Sequence, residues 1–172
     1  MSIAQSTKPV YFLCLILSTF MALSIDICLP SLPSITQTFN ATGQDVQFTL
    51  NIFLLGFAIS QIFYGPIADC YGKRDTLLIG LVVYLLSSIG CIFAISINML
   101  IFFRIIQSFG ACSASVSAYA LARDNYDGKN LTRILANMGI IMTIVPSLAP
   151  LVGSIINNIA GWRFIFVILF II

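Results

Sequence analysis

Histidine and glutamate are absent from this chain of 172 residues, and charge of either sign is scarce: Lys and Arg total 8 and Asp 6, together 8% of residues. Without histidine, Ser-His and Cys-His catalysis and the His-rich metal sites are excluded. A soluble domain carries roughly 25% charged residues, so this chain has too little charge to cover a water-facing surface. Its net charge of +2 is too small for nucleic-acid binding. The five cysteines (14, 28, 70, 91 and 112) lie far apart, mostly inside apolar runs. They read as small packing residues, with neither disulfide nor metal spacing. No catalytic dyad is visible, so the chain does not read as an enzyme, and nothing calls for a cofactor or metal.

What is present is apolar: 59% of residues are hydrophobic, and mean hydropathy is +1.05. A spanning helix needs about 20 apolar residues. The chain divides into one bundle of apolar runs at 10–29, 46–64, 76–97, 100–121, 135–156 and 164–172. Pro30 and Pro33 are expected to close the first and Gly65-Pro66 the second. Asp75 is placed as N-cap of the third, and Ile97-Asn98-Met99 as the tight connection to the fourth. Nine residues of the sixth run reach about 13 Å, less than half of a ~30 Å hydrocarbon core. The reading is an all-α membrane protein whose sixth helix is cut short, from a longer protein or a truncated gene. Lys8, Lys73, Arg74, Arg123, Lys129 and Arg133 fall in segments on one side, against Arg163 on the other. The excess of Lys and Arg marks the cytoplasmic face, so the N-terminus is expected there.

Asp26 and Arg104 remain inside apolar runs. Each costs at least ~2.5–3.5 kcal/mol on insertion scales, and such residues usually face a cavity or one another. Both lie near the outer ends of oppositely directed spans, so their depths match and a pair is geometrically possible. The alternative is that both snorkel to the outer interface, for which Asp is short. Arg104, Gln107, Ser108, Ala111, Ser115 and Ala118 share a ~100° sector of the fourth span. Thr19, Ala22 and Asp26 share one of the first, and Asn51, Ala58, Gln61 and Gly65 one of the second. Thr19, Asn51, Gln61, Gln107 and Ser115 are thus candidate cavity-lining residues. Small-residue helix packing accounts for part of the pattern, but not for Arg104 or Gln107. In the fifth span Pro146, Pro150 and Gly153 lie on one face and predict a kink, either fixed or a bend where bundles rock.

The segment Gly65 to Arg74 holds Gly65, Asp69, Gly72, Lys73 and Arg74 in an order that a simple positive-inside turn does not require. Asp124 is placed just past the end of the fourth span, where the helix dipole disfavours an anion. Lys73 or Arg74 is its expected partner.

Gly65-x-Ile67-Ala68-Asp69-x-x-Gly72-Lys73-Arg74 resembles the loop between spans 2 and 3 of the major facilitator superfamily. Arg104-x-x-Gln107-x-x-Gly110-Ala111 resembles the span-4 motif of its proton-coupled members. Ala149-Pro150-x-x-Gly153-Ser154 resembles a variant of the span-5 antiporter motif, and Asp26-x-x-Leu29-Pro30 the span-1 motif of drug/proton antiporters. Leu121-Ala122-Arg123-Asp124 and Gly161-Trp162-Arg163 resemble the bicyclomycin-resistance branch. Cys70 stands where the loop motif usually has Arg, while Val145, Ala149 and Ser154 replace glycines of the span-5 motif.

The resemblance covers nearly the whole chain but only the N-terminal six-helix bundle of that fold. It implies two bundles of inverted repeats around a midplane cavity and proton-coupled efflux of small amphipathic compounds, antibiotics among them. Asp26 would carry the proton beside Arg104, and the 65–74 segment would latch against the other bundle. The implied partners are the lipid bilayer, protons, a small-molecule substrate and a separate C-terminal half; the implied location is a bacterial inner membrane. A non-transporting remnant of a truncated gene is the competing reading, and a membrane scaffold the weaker one.

Overall fold

A computed structural model describes residues 7–171, apart from the side chains of Thr7, Lys8, Asp69 and Tyr71. The described residues form helices α1 (Thr7–Asp26), α2 (Leu32–Phe39), α3 (Gly43–Tyr71), α4 (Lys73–Ile92), α5 (Ile97–Asn125), α6 (Gly128–Ala160) and α7 (Trp162–Ile171). One 3₁₀ turn, Leu29–Ser31, joins α1 to α2. Five stretches are long and apolar enough to cross a membrane, with Pro9–Phe39 as the first. In lipid every backbone polar group must be bonded internally, and helices do this within a single segment.

The helices run past the apolar limits expected from hydropathy. α3 has 29 residues and α6 has 33, or about 44 and 50 Å at 1.5 Å per residue. Those lengths reach through the headgroup region, because a helix need not end where its apolar side chains do. Pro66 does not close the second span: it lies inside α3, which continues to Tyr71. The supposed ten-residue loop is therefore a helix end, Gly72 and a helix start. Gly72 has φ 93°, a conformation open to glycine, and it is the N-cap of α4. Asp75 is thus not a cap but a first-turn anion near the positive end of the α4 dipole. Likewise Asp124 lies within the last turn of α5, not beyond it.

The polar stretch after span 1 is also partly helical. α2 ends where Asn40 turns left-handed at φ 47°. α3 then opens on a capping box: Thr42 Oγ1 accepts from the Asp45 amide, and the Asp45 carboxylate accepts from the Thr42 amide. The short link before α5 is Phe93 to Ser96 rather than Ile97 to Met99, since Ser96 caps α5 by accepting from Met99 N.

α5 is the central helix and packs against α4, α3 and α1. Its run from Gly110 to Ser115 is buried throughout. Small side chains let backbones approach closely where lipid supplies no hydrophobic drive between helices. Gly80 of α4 abuts Ser113, Gly110 abuts the backbone of Gly80 and Tyr84, and Gly56 of α3 abuts Ser108. Ser113 Oγ also donates to Thr76 O across the α4–α5 seam, at 2.9 Å. α6 is the least enclosed of the long helices. It packs on α1 and the 3₁₀ turn, with Ile134, Met138, Ala149 and Gly153 buried, while Ile140, Ile144, Leu148, Leu151, Ile155 and Ile159 face outward. α6 runs as one helix through Pro146 and Pro150, which leaves the Met142 and Pro146 carbonyls without their usual intrahelical donors.

Candidate functional site: a buried arginine held by three helices

The site starts from the way α1 ends. The amide of Ile27 bonds Leu23 O at 3.3 Å, but that of Cys28 bonds Ile25 O at 3.1 Å, one residue short of the helical pattern. The Ser24 carbonyl is thereby skipped and left open inside the bundle. Arg104 fills it: Nη1 donates to Ser24 O at 2.9 Å and to Gln107 Oε1 at 3.0 Å. Arg104 lies three residues before Gln107 on α5, so the two share a face. Gln107 Nε2 donates to Ser88 Oγ of α4 at 2.8 Å, which fixes the orientation of its amide.

Arg104 is 1% exposed, and Gln107 is fully buried. The guanidinium lies 5.4 Å from the Phe53 ring centroid and 5.0 Å from that of Phe166. Both distances are within cation–π range. Arg104 Nε is buried and has no hydrogen-bond partner among the described residues. The site therefore holds a cation at membrane depth, stabilised by carbonyl dipoles and ring faces, with no ion pair to it among the described residues.

Asp26 is the last residue of α1 and is partly exposed. The one ion pair among the described residues is Lys73–Asp124, so the structure does not join Asp26 to Arg104. The matched depths are compatible with a pair, but the open Ser24 carbonyl takes the guanidinium instead. Thr19, Gln107 and Ser115 are buried, with Thr19 Oγ1 donating to Ile16 O within its own helix. Asn51 and Gln61 are exposed along α3. Gly153 packs so closely on the break after α1 that a Cβ there would overlap Ile27 O and lie 3.1 Å from the Pro30 ring.

At the opposite end of the bundle, Lys73 Nζ donates to Asp124 Oδ1 at 2.6 Å and Oδ2 at 2.5 Å. Of the two expected partners of Asp124, Lys73 makes the contact, and Arg74 is exposed. Gly65 is partly exposed within α3, and the Asp69 side chain lies outside the described residues. The end of the bundle near Arg104 is tied by Asn157 Nδ2 to Ser34 Oγ, Trp162 Nε1 to Thr38 Oγ1 and Arg163 Nη2 to Ala94 O.

The profile of one protein family, the Major Facilitator Superfamily, matches residues 14–172. The chain belongs to this superfamily. It is an integral membrane protein with the all-α fold of the Major Facilitator Superfamily, and its relatives include named resistance proteins. It is 37% identical over 153 residues to an uncharacterized transporter of Rickettsia bellii, covering 89% of this chain and 38% of the relative. It is 32% identical over 159 residues to a chloramphenicol resistance protein of Pseudomonas aeruginosa, covering 90% and 38%. To a bicyclomycin resistance protein homolog of Haemophilus influenzae it is 28% identical over 166 residues, covering 96% and 42%. The chain thus spans well under half the length of these relatives.

Sequence reasoning missed Ser24, Tyr84 and Ser88, which complete the surroundings of Arg104. The signal was faint: hydroxyl-bearing residues inside apolar runs, each able to satisfy itself on its own helix.

Proposed function

We propose that the chain is the N-terminal bundle of a proton-coupled exporter of small amphipathic compounds, antibiotics among them. It works against a second six-helix bundle across a shared cavity, in a bacterial plasma membrane with its N-terminus cytoplasmic. The observation that carries this reading is Arg104: a cation 1% exposed in a membrane-spanning helix, with no ion-pair partner among the described residues. Intramembrane charges mark ion and proton pathways. A helix-packing role alone calls for no arginine. Asp26, two residues beyond the carbonyl that Arg104 holds, is the proton carrier. In this reading its carboxyl takes up the proton on one side of the membrane and gives it up on the other.

The names of the relatives in Pseudomonas aeruginosa and Haemophilus influenzae support an antibiotic substrate. The distribution of Lys and Arg supports the orientation. The exposed polar side chains Asn51 and Gln61 on α3 favour a facing bundle over lipid. The segment from Gly65 to Arg74, with Lys73 on Asp124, is the latch that the second bundle engages.

The test uses everted membrane vesicles that contain this bundle together with its C-terminal half. Respiration acidifies their interior, and added substrate releases the trapped protons if exchange occurs. Asp26→Asn is expected to abolish that release while substrate still binds, because Asn keeps size and polarity but carries no proton. Normal proton release in this variant overturns Asp26 as the carrier.

A further inference from the structure

The geometry points to Tyr84 as the positioning residue of Arg104; this inference rests on the role given to Arg104 above. Both acceptors that hold the guanidinium lead back to Tyr84 by separate routes. Tyr84 is buried in α4, its ring edge-on to Phe20 at 5.2 Å between centroids. Its hydroxyl lies 2.6 Å from Ser24 Oγ. Ser24 has one hydroxyl proton, and that proton goes to Phe20 O at 2.6 Å. Tyr84 is therefore the donor and Ser24 the acceptor. The first route runs from the Tyr84 hydroxyl to Ser24, whose carbonyl receives Arg104.

The second route starts at the other end of the same residue. The Tyr84 carbonyl accepts from Ser88 Oγ at 2.8 Å. Ser88 Oγ accepts from Gln107 Nε2, and Gln107 Oε1 accepts from Arg104. The two routes close a ring through α4, α1 and α5 with Arg104 at one pole and Tyr84 at the other. Along the second route donation runs from Arg104 through Gln107 and Ser88 to the Tyr84 carbonyl, while at Ser24 both Tyr84 and Arg104 donate, so each assignment is fixed by its neighbour. The ring sets the spacing of α1 from α4 around the guanidinium and thereby the aim of the Ser24 carbonyl. Asp26 follows two residues later, so the same ring fixes the approach of its backbone to Arg104. Besides Asp26, the titratable groups around Arg104 are Cys28, Cys91 and Tyr84 itself, all buried.

Tyr84→Phe tests this, because it removes the hydroxyl and keeps the ring on Phe20. Hydrogen exchange on the chain in lipid nanodiscs reads the protected amides of Ile27, Cys28 and Ser31. Tyr84→Phe and Ser24→Ala are each expected to speed exchange there about threefold, the effect of one interhelical hydrogen bond in a membrane on an opening equilibrium. Arg104→Gln is expected to do at least as much, and the double variant Tyr84→Phe/Arg104→Gln no more than Arg104→Gln alone. Unchanged exchange in Tyr84→Phe, or strictly multiplicative effects in the double variant, overturns the inference.

A second readout separates positioning from packing. In the vesicle assay Tyr84→Phe is expected to leave substrate affinity unchanged. It is expected to displace the pH profile of export in the same direction as Arg104→Gln. If Arg104→Gln displaces nothing, the exporter reading fails, and the exchange result still judges the ring. If Arg104→Gln displaces the profile and Tyr84→Phe does not, the positioning role fails by itself.

Discussion

Gly110→Ala adds one methyl group where α4 and α5 touch, and its cost follows from the contact distances. A Cβ on Gly110 would stand 2.6 Å from Gly80 O, from Tyr84 N and from Tyr84 Cβ. Two of these atoms are backbone, so no side chain can swing away. Reaching ordinary contact near 3.4 Å parts the helices by roughly 0.8 Å, an overpacking that costs ~1–3 kcal/mol. The same movement stretches Gln107 Nε2 to Ser88 Oγ from 2.8 Å to about 3.6 Å, beyond hydrogen-bond range. Ser113 to Thr76 O suffers likewise. Interhelical hydrogen bonds in membranes average about 0.6 kcal/mol, so the two together add ~1 kcal/mol. Against this, Ala is favoured over Gly in a helix by ~0.5–1 kcal/mol. The net loss is ~1–3 kcal/mol. Gly139 is the internal control: it too is helical, but nothing lies within 4 Å of its Cβ position, so Gly139→Ala keeps only the small gain. Unfolding in mixed micelles of mild detergent and dodecyl sulfate, followed by circular dichroism, measures both. Equal stability of Gly110→Ala and wild type, or an equal loss in Gly139→Ala, refutes the contact argument.

Gly153→Ala is expected to push α6 off the break after α1, because its Cβ meets the Ile27 carbonyl; faster hydrogen exchange at residues 27–31 with α4 unaffected is the readout. Lys73→Ala and Asp124→Ala are each expected to cost at most ~1 kcal/mol of stability, since the pair is partly exposed and screened by salt. If the pair serves the latch, either variant slows export in the vesicle assay, and the exchanged pair Lys73→Asp/Asp124→Lys restores part of it. Introduced cysteines at Gln44 and Asn130 are expected to react with an impermeant maleimide from opposite sides of the membrane, Gln44 from outside. Reaction of both from one side contradicts the assigned orientation.

Hydropathy and charge counts by themselves determined that this chain lives in lipid, crosses it as helices and turns between its apolar runs; the structure then narrowed the 65–74 loop to Gly72 and moved the 97–99 connection to 93–96. Each of those statements depends on local composition, and lipid leaves helices as the solution for one segment at a time. Asp124 was legible as needing a cation, because the dipole at a helix end acts within one turn, and Lys73 supplies it. Arg104 and Gln107 stood out in the sequence because nothing in helix packing calls for them, and the structure buries both.

Only the tertiary structure decided what Arg104 holds. Its acceptor is a main-chain carbonyl, freed because the Cys28 amide bonds Ile25 O and skips Ser24. A carbonyl of this kind leaves no mark in residue type, whereas a carboxylate such as Asp26 does, so reading by charge points to Asp26 and passes over Ser24 O. Tyr84 and Ser88 were invisible for a related reason. A hydroxyl in an apolar helix can satisfy itself on its own backbone, and it becomes part of a site only when neighbouring helices bring an acceptor or a donor within 3 Å. The seam of Gly80, Gly110 and Ser113 does this by letting α4 and α5 close to backbone contact.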